Sequence, residues 1–336
     1  MAKSISLGLL RKGKTRTHNE NNVYVLDTLA MPGQTHDFEH SSSSDDSLQF
    51  YGLADGMGGG LGEAAAQTVL HVLDYHRQLF AAGNRFEFMN FAKTYVDHAN
   101  QAMKQLQIDH QGLSAGSMLS LLVIHRDLAY TISLGSSRIY LYRDNKLYRM
   151  TDDHLRGHPG QFQLTKFVGL SSQDGDTVMA ENMTRTVLNR GDIFLVTSDG
   201  ITQYLEDPEL AACLADPAAF VTQIRRILDA ALRTGGRDNM AVLGVKILDP
   251  LAAGQTQNRH RDNLAVASKK MENRHRQNTT RQAAVRGDTG GFGESYRLIW
   301  FRPVLVFLIF VLLGILLGKL LFSLPGWVRQ FLDFFA

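Results

Sequence analysis

Cysteine is almost missing from these 336 residues, with Cys213 standing alone. One thiol builds neither an intrachain disulfide nor a cysteine zinc site, which fits a reducing compartment. Inside a helical pattern, Cys213 reads as a small buried residue, not a nucleophile. The first twenty residues, MAKSISLGLLRKGKTRTHNE, lack an apolar core long enough for a signal peptide. No internal repeat is visible. Little charge of either sign is left over, since the formal net is +2.

That small net hides an asymmetry. Residues 252–302 carry ten Lys/Arg against four Asp/Glu, whereas residues 1–251 sum to −5. Residues 252–296 are rich in Gln, Asn, Arg, Thr and Gly and poor in large apolar groups, the composition of a flexible linker. Val304–Leu324 follows, 21 residues with Lys319 as their one charge. A helix of that length spans roughly 30 Å, the hydrocarbon thickness of a bilayer. The organisation expected is a domain over 1–250, a basic linker over 251–298, a transmembrane helix over 303–324 and a short tail over 325–336. Positive charge ahead of the span places the domain on the cytoplasmic side of the inner membrane, in a single-pass arrangement. The basic linker is also placed to touch anionic lipid headgroups. Gly314 and Gly318 have the spacing of a weak helix-pairing motif. A nucleic-acid role for the basic segment is disfavoured, because no aromatic residue is interleaved with its charges before Phe292.

Within 1–250, strand signals dominate. NNVYVLD and LQFYGLAD read as short apolar strands separated by a polar loop, MPGQTHDFEHSSSSDDS. Two helical patterns follow, over 62–82 and 85–108. SMLSLLVIHRDLAYTISLGSSRIYLYRDNKLYRMTDD reads as four strands, with tight turns at Arg126–Asp127 and Asp144–Asn145 that force antiparallel neighbours. GDIFLVTSDG holds a buried strand. PAAFVTQIRRILDAALRTGG is a helix closed by glycines, and MAVLGVKIL is a final strand. Antiparallel strands with paired helices inserted predict an α+β layered sandwich.

Asp55 and Asp199 each close an apolar strand and precede a glycine. Asp238 lies just before the last strand, and Glu20 before NNVYVLD. Carboxylate and carbonyl oxygens without His or Cys suit Mg²⁺ or Mn²⁺, and glycine lets a backbone carbonyl approach an ion. Asp-Gly is equally a common turn dipeptide, so spacing alone leaves both readings open. GMGGGLGE lacks the Gly-Lys-Ser/Thr ending of a phosphate-binding loop.

Together, RTHNEN, GLADGMGG, LGSSRIYLYR, MTDDH, LTKFVGL, LVTSDGI and GGRDNMAVL resemble, in order, the motifs of the bacterial metal-dependent protein phosphatase 2C family. The resemblance covers about residues 4–248. It implies a four-layer αββα sandwich, two antiparallel sheets flanked by helix pairs, with two Mn²⁺ or Mg²⁺ ions at one edge. By motif position Asp55 would bridge the ions, Glu20 and the Gly56 carbonyl would hold one, and Asp199 and Asp238 the other. Arg16 would bind the substrate phosphate, its planar fork matching two phosphate oxygens. The implied reaction is attack of a metal-bridging water on a phosphoserine or phosphothreonine ester, catalysed through Asp55, Asp199 and Asp238. Met57 stands where animal relatives carry a candidate proton donor. The implied partners are phosphorylated proteins at the membrane, a serine/threonine kinase or its targets among them.

Three departures bear on this. Asn21 replaces the acidic residue after Glu20; it can still hydrogen-bond a metal-bound water, but without charge. Ser136 replaces the family aspartate that reaches a third metal, which puts that ion in doubt. The flap between Asp153 and Leu164 is short. Two functions follow: an active membrane-tethered phosphatase, or a pseudophosphatase that binds phosphoproteins as a scaffold.

Overall fold

The structure is a computed structural model and describes residues 1–31, 33–58, 60–157, 161–170 and 181–250. The linker, the apolar run at 304–324, Gly314, Gly318 and the tail lie outside the described residues. Among the described residues no helix is long and apolar enough to cross a membrane.

In chain order the elements open with β1 (Lys3–Arg11), β2 (Asn21–Val25), β3 (Thr28–Leu29), β4 (Asp37–Ser44) and β5 (Leu48–Met57). Two long helices follow, α1 (Gly62–Ala81) and α2 (Phe88–Asp109). Then come β6 (Gly116–His125), β7 (Leu128–Leu134), β8 (Arg138–Arg143), β9 (Lys146–Arg149), and a small hairpin of β10 (Leu155–Arg156) and β11 (Gln163–Leu164). The chain continues through β12 (Glu181–Val187), β13 (Ile193–Thr197), α3 (Asp199–Thr202), α4 (Asp207–Ala215), α5 (Phe220–Thr234) and β14 (Met240–Asp249).

Two six-stranded antiparallel sheets result. The first runs β4-β1-β14-β13-β8-β9 and the second β12-β7-β6-β5-β2-β3. Three apolar clusters fill the gaps between four layers. Tyr51, Leu53, Phe194 and Leu243 lie between the sheets. Leu70, Phe91 and Leu119 lie between the second sheet and α1/α2. Leu195, Ile224 and Val242 lie between the first sheet and α5. This is the expected αββα sandwich. Because both faces of each sheet are covered, central strands read as continuous apolar runs; Val23–Val25 and Leu119–Ile124 are wholly buried.

Several expectations need correction. The polar stretch 31–47 is not all loop, since β4 occupies Asp37–Ser44. Among the described residues it is an edge strand paired only with β1, so its serines and charges suit a half-exposed position. Asp55 does not end its strand; β5 continues through Gly56 to Met57, paired with Ser117 and Gly116. β1, β3, β10, β11, β12, α3 and α4 are elements the sequence reading did not include. Of the two tight turns, each joins paired strands, β6 to β7 and β8 to β9. Their turn residues Arg126, Asp144 and Asn145 take positive φ, as hairpin turns matched to strand twist require.

Candidate active site

The expected site residues gather where the two sheets meet at one end. β5 carries Asp55, directly across from Asn21 on β2 and Met118 on β6. Glu20 enters from the residue before β2, where its carbonyl accepts the Gly56 N–H at 2.9 Å. A Cβ on Gly62 would collide with the Glu20 carboxylate, and one on Gly56 with the Gly62 carbonyl. The glycines after Asp55 thus let the start of α1 press against Glu20.

From the other sheet, β13 delivers Asp199 as the first residue of α3, and the loop before β14 delivers Asp238. Gly235–Asn239 is stitched to the loop after β1. Lys14 N–H donates to Gly236 O at 2.9 Å, Thr15 Oγ1 to Arg237 O at 2.7 Å, and Gly13 N–H to Asn239 Oδ1 at 3.1 Å. Lys14 Nζ also donates to Leu232 O and Gly235 O at the end of α5, at 2.8 and 3.0 Å. These bonds seat Arg16 beside Asp238. The guanidinium grips that carboxylate with both prongs, Nε to Oδ1 at 2.9 Å and Nη2 to Oδ2 at 3.0 Å.

The carboxylates feel one another. Burial first, then Asp199, Asp238 and Glu20, push the Asp55 carboxyl well above the usual range, with Arg16 opposing. Burial and then Asp238 raise Asp199, while a hydrogen bond from Ser136 works the other way. The hydrogen bond to Asp238 raises the Arg16 guanidinium. So much like charge at a partly buried seam calls for a cation.

The donors suit a hard divalent ion. They are oxygens only, with glycine-permitted backbone beside them. A second observation points the same way. Asn21 is 1% exposed, and both its side-chain Nδ2 and Oδ1 are buried without a partner. A buried amide left so incurs a desolvation penalty unless a ligand or water completes it, and this one faces Asp55 across the ladder. The residues therefore fit a metal centre. In this arrangement, though, among the described residues no three His, Cys, Asp or Glu side chains form a ready cage, and Asp238 is turned to Arg16.

Sequence reasoning assigned no role to several neighbours. Asn19 is fully buried and ties the bend before β2, donating to Thr35 O at 2.6 Å and accepting the Asn21 N–H at 3.0 Å. Asn239 anchors Gly13. Asp153 is clasped by Arg138, Nη2 to Oδ2 at 2.8 Å, and by Arg149. Against burial, which alone would raise it, these arginines hold the Asp153 carboxyl below the usual range. Asn19, Asn239 and Asp153 all sit inside quoted motifs, which was the available signal. Met118 carried none, because an apolar residue in an apolar strand looks like core.

Residues 18–159 match the family model described as Protein phosphatase 2C. Among curated proteins, the chain is 24% identical over 263 residues to the serine/threonine protein phosphatase PstP of Mycobacterium tuberculosis, covering 73% of this chain and 45% of that one. It is 24% identical over 257 residues to the serine/threonine phosphatase stp of Listeria welshimeri, covering 70% and 92%. The chain therefore spans less than half the length of the mycobacterial relative. Among solved structures, the S. agalactiae serine/threonine phosphatase superposes with a TM-score of 0.60 at 21% identity, covering 74% of this chain and all of that one. The catalytic domain of PstP in complex with two manganese ions gives 0.58 at 22%, with the same coverage. The fold is shared with these phosphatases.

Proposed function

We propose that this chain is a protein serine/threonine phosphatase of the 2C type, dependent on Mn²⁺ or Mg²⁺. The observation that carries the reading is the convergence of Glu20, Asp55, Asp199 and Asp238 on one partly buried seam, with the unpartnered Asn21 amide facing Asp55. Glu20, Asp55, the Gly56 carbonyl, Asp199 and Asp238 would hold two ions. Bound ions of this kind lower the pKa of water and stabilise charge on a transferring phosphoryl group.

The chain's own residues supply the rest. Arg16 is half-exposed, its side chain 48% accessible, so it can offer its fork to a phosphate that competes for it with Asp238. The stitched loops fix its backbone, which confines the phosphate to one place. Arg138 and Arg149 neutralise Asp153 and so spare Asp199 part of a further negative neighbour. Ser136 carries no charge, so nothing at that position recruits a third ion. The apolar run at 304–324 would tether the domain to the inner membrane with its site on the cytoplasmic side. A tether raises the local concentration of membrane-borne phosphoproteins, a kinase or its targets among them.

The test is phosphate release from a phosphothreonine peptide by the full chain, titrated with Mn²⁺ and with Mg²⁺. Turnover is expected only with metal, and Asp199→Asn is expected to lower it by at least about a hundredfold. Asn21→Asp should reach half-maximal rate at lower metal concentration. A folded chain that binds phosphopeptide without turnover at any metal concentration would point to the scaffold reading, which the uncharged Asn21 and Ser136 favour.

A further inference from the structure

Between β7 and β8 the chain leaves one sheet for the other, and this crossing lands on the site. Gly135 makes the turn with φ of 110°, and a Cβ there would fall 2.5 Å from Met118 Cγ; only glycine fits both demands. His154 pins the turn from outside. Its Nδ1 accepts the Gly135 N–H at 3.1 Å, and its backbone N–H donates to Gly135 O at 3.0 Å. The next residue, Ser136, is held in place and is 6% exposed.

The Ser136 hydroxyl has one proton and two neighbours. Asp199 Oδ2 lies at 3.2 Å and the Met118 sulfur at 3.0 Å. A carboxylate accepts far more strongly than a thioether, so the proton belongs to Asp199. The sulfur packs behind, where it also lies 3.4 Å from the Ser136 N–H. Met118 in turn stands across from Asp55. Asp55, Met118, Ser136 and Asp199 therefore form a row that crosses from one sheet to the other. Being neutral, Ser136 is suited to orient a carboxylate and not to hold a cation of its own.

We propose that Ser136 is a positioning residue for Asp199, its hydroxyl donating to Oδ2 and holding the carboxylate turned toward a divalent cation. The proposal rests on reading the carboxylate seam as a metal centre. The physical reason is the softness of the aspartate side chain. Its terminal torsion is broad and has no sharp well, so with the Ser136 hydroxyl gone and only the Gly200 backbone N–H left of these two donors, the carboxylate would sample orientations that miss the ion. Partners of metal ligands are typically worth ten- to a hundredfold in metal affinity.

The test is a calorimetric titration of the full chain with Mn²⁺ alone, so that binding is read without turnover. Ser136→Ala should weaken Mn²⁺ binding by about tenfold, whereas Ser136→Thr, which keeps the hydroxyl, should stay within about threefold of wild type. Met118→Leu, which removes the sulfur and keeps the hydroxyl, should also stay within about threefold. A merely structural role would lower the ion-free melting temperature of Ser136→Ala and leave its Mn²⁺ affinity unchanged, and that result overturns the proposal. Equal losses in the alanine and threonine variants overturn it too. Should the alanine variant not fold, Ser136→Cys, a similar volume with a weak donor, takes its place with the same expected loss. A wild-type chain that binds no Mn²⁺ would overturn the metal-centre reading along with this proposal; wild-type binding matched by Ser136→Ala overturns this proposal alone.

Discussion

His76 shows how one residue far from the site shapes the pH response. It lies on α1, 3% exposed, among Tyr75, Phe91 and Tyr95, with its Nε2 3.1 Å from Nδ1 of His98 on α2. Burial, then the neighbouring His98, lowers its pKa to about 4. In the unfolded chain it titrates near 6.5. The unfolded state therefore takes up a proton first as pH falls, so the stability contributed by the neutral ring is fully present above about 6.5 and drains away as pH drops toward 4. Allowing for solvent at the open groove around His71, Tyr75 and His98, the loss should be at most about 2 kcal/mol. Urea unfolding between pH 7 and 4 checks this: His76→Phe should flatten that slope, and an unchanged slope would exclude His76 as its source. No sequence signal marked this ring, because a histidine in an apolar helix face looks the same whether paired or not. The carboxylates were legible for the opposite reason. Asp55 and Asp199 each sit beside a glycine at an apolar strand, and Glu20 and Asp238 each lie just before one, a recurrence that packing alone does not call for. What the sequence hid was the bidentate pairing of Arg16 with Asp238 across 222 positions, since pairings between distant residues leave no local pattern.

At the scale of elements, the long amphipathic helices and central strands were readable because their periodicity is enforced by burial on a known face. α1 and α2 start and stop within three residues of expectation. β4 and α4 were missed for two different reasons. β4 is polar because one edge and one face meet water. α4 is short, and its start signal is a capping box of Glu206 and Glu209 with Pro208 in the first turn, where acidic cap residues resemble loop. Packing between elements makes its own prediction. Gly244 on β14 lies beneath α5, and a Cβ there would fall 2.5 Å from Ile224 Cδ1 and 3.1 Å from Phe220 Cζ. Gly244→Ala should overpack this interface and lower unfolding free energy by about 1–3 kcal/mol, seen as a lower urea midpoint at unchanged slope. A neutral result would mean Ile224 repacks freely, and α5 would then be more loosely held than its buried face suggests.

At the scale of the whole molecule, the tether has a direct check. A chain ending at residue 302 should appear in the soluble fraction of lysed cells and the full chain in the membrane fraction; equal partitioning would remove the anchor from the reading. The four layers were legible from alternating classes of element, but the strand order was not. The strand read last in the chain, β14, lies third in its sheet, between β1 and β13. That placement has a consequence for synthesis. Until residues 238–249 have left the ribosome, β1 lacks its full partner on the inner side, and Gly13 and Arg16 lack Asn239 and Asp238. Folding must therefore wait for the most distant pairing in the domain, a topology that forms slowly. A nascent chain stalled before residue 240 should be inert and sensitive to protease, carrying Asp55 and Glu20 in a seam that has not yet closed.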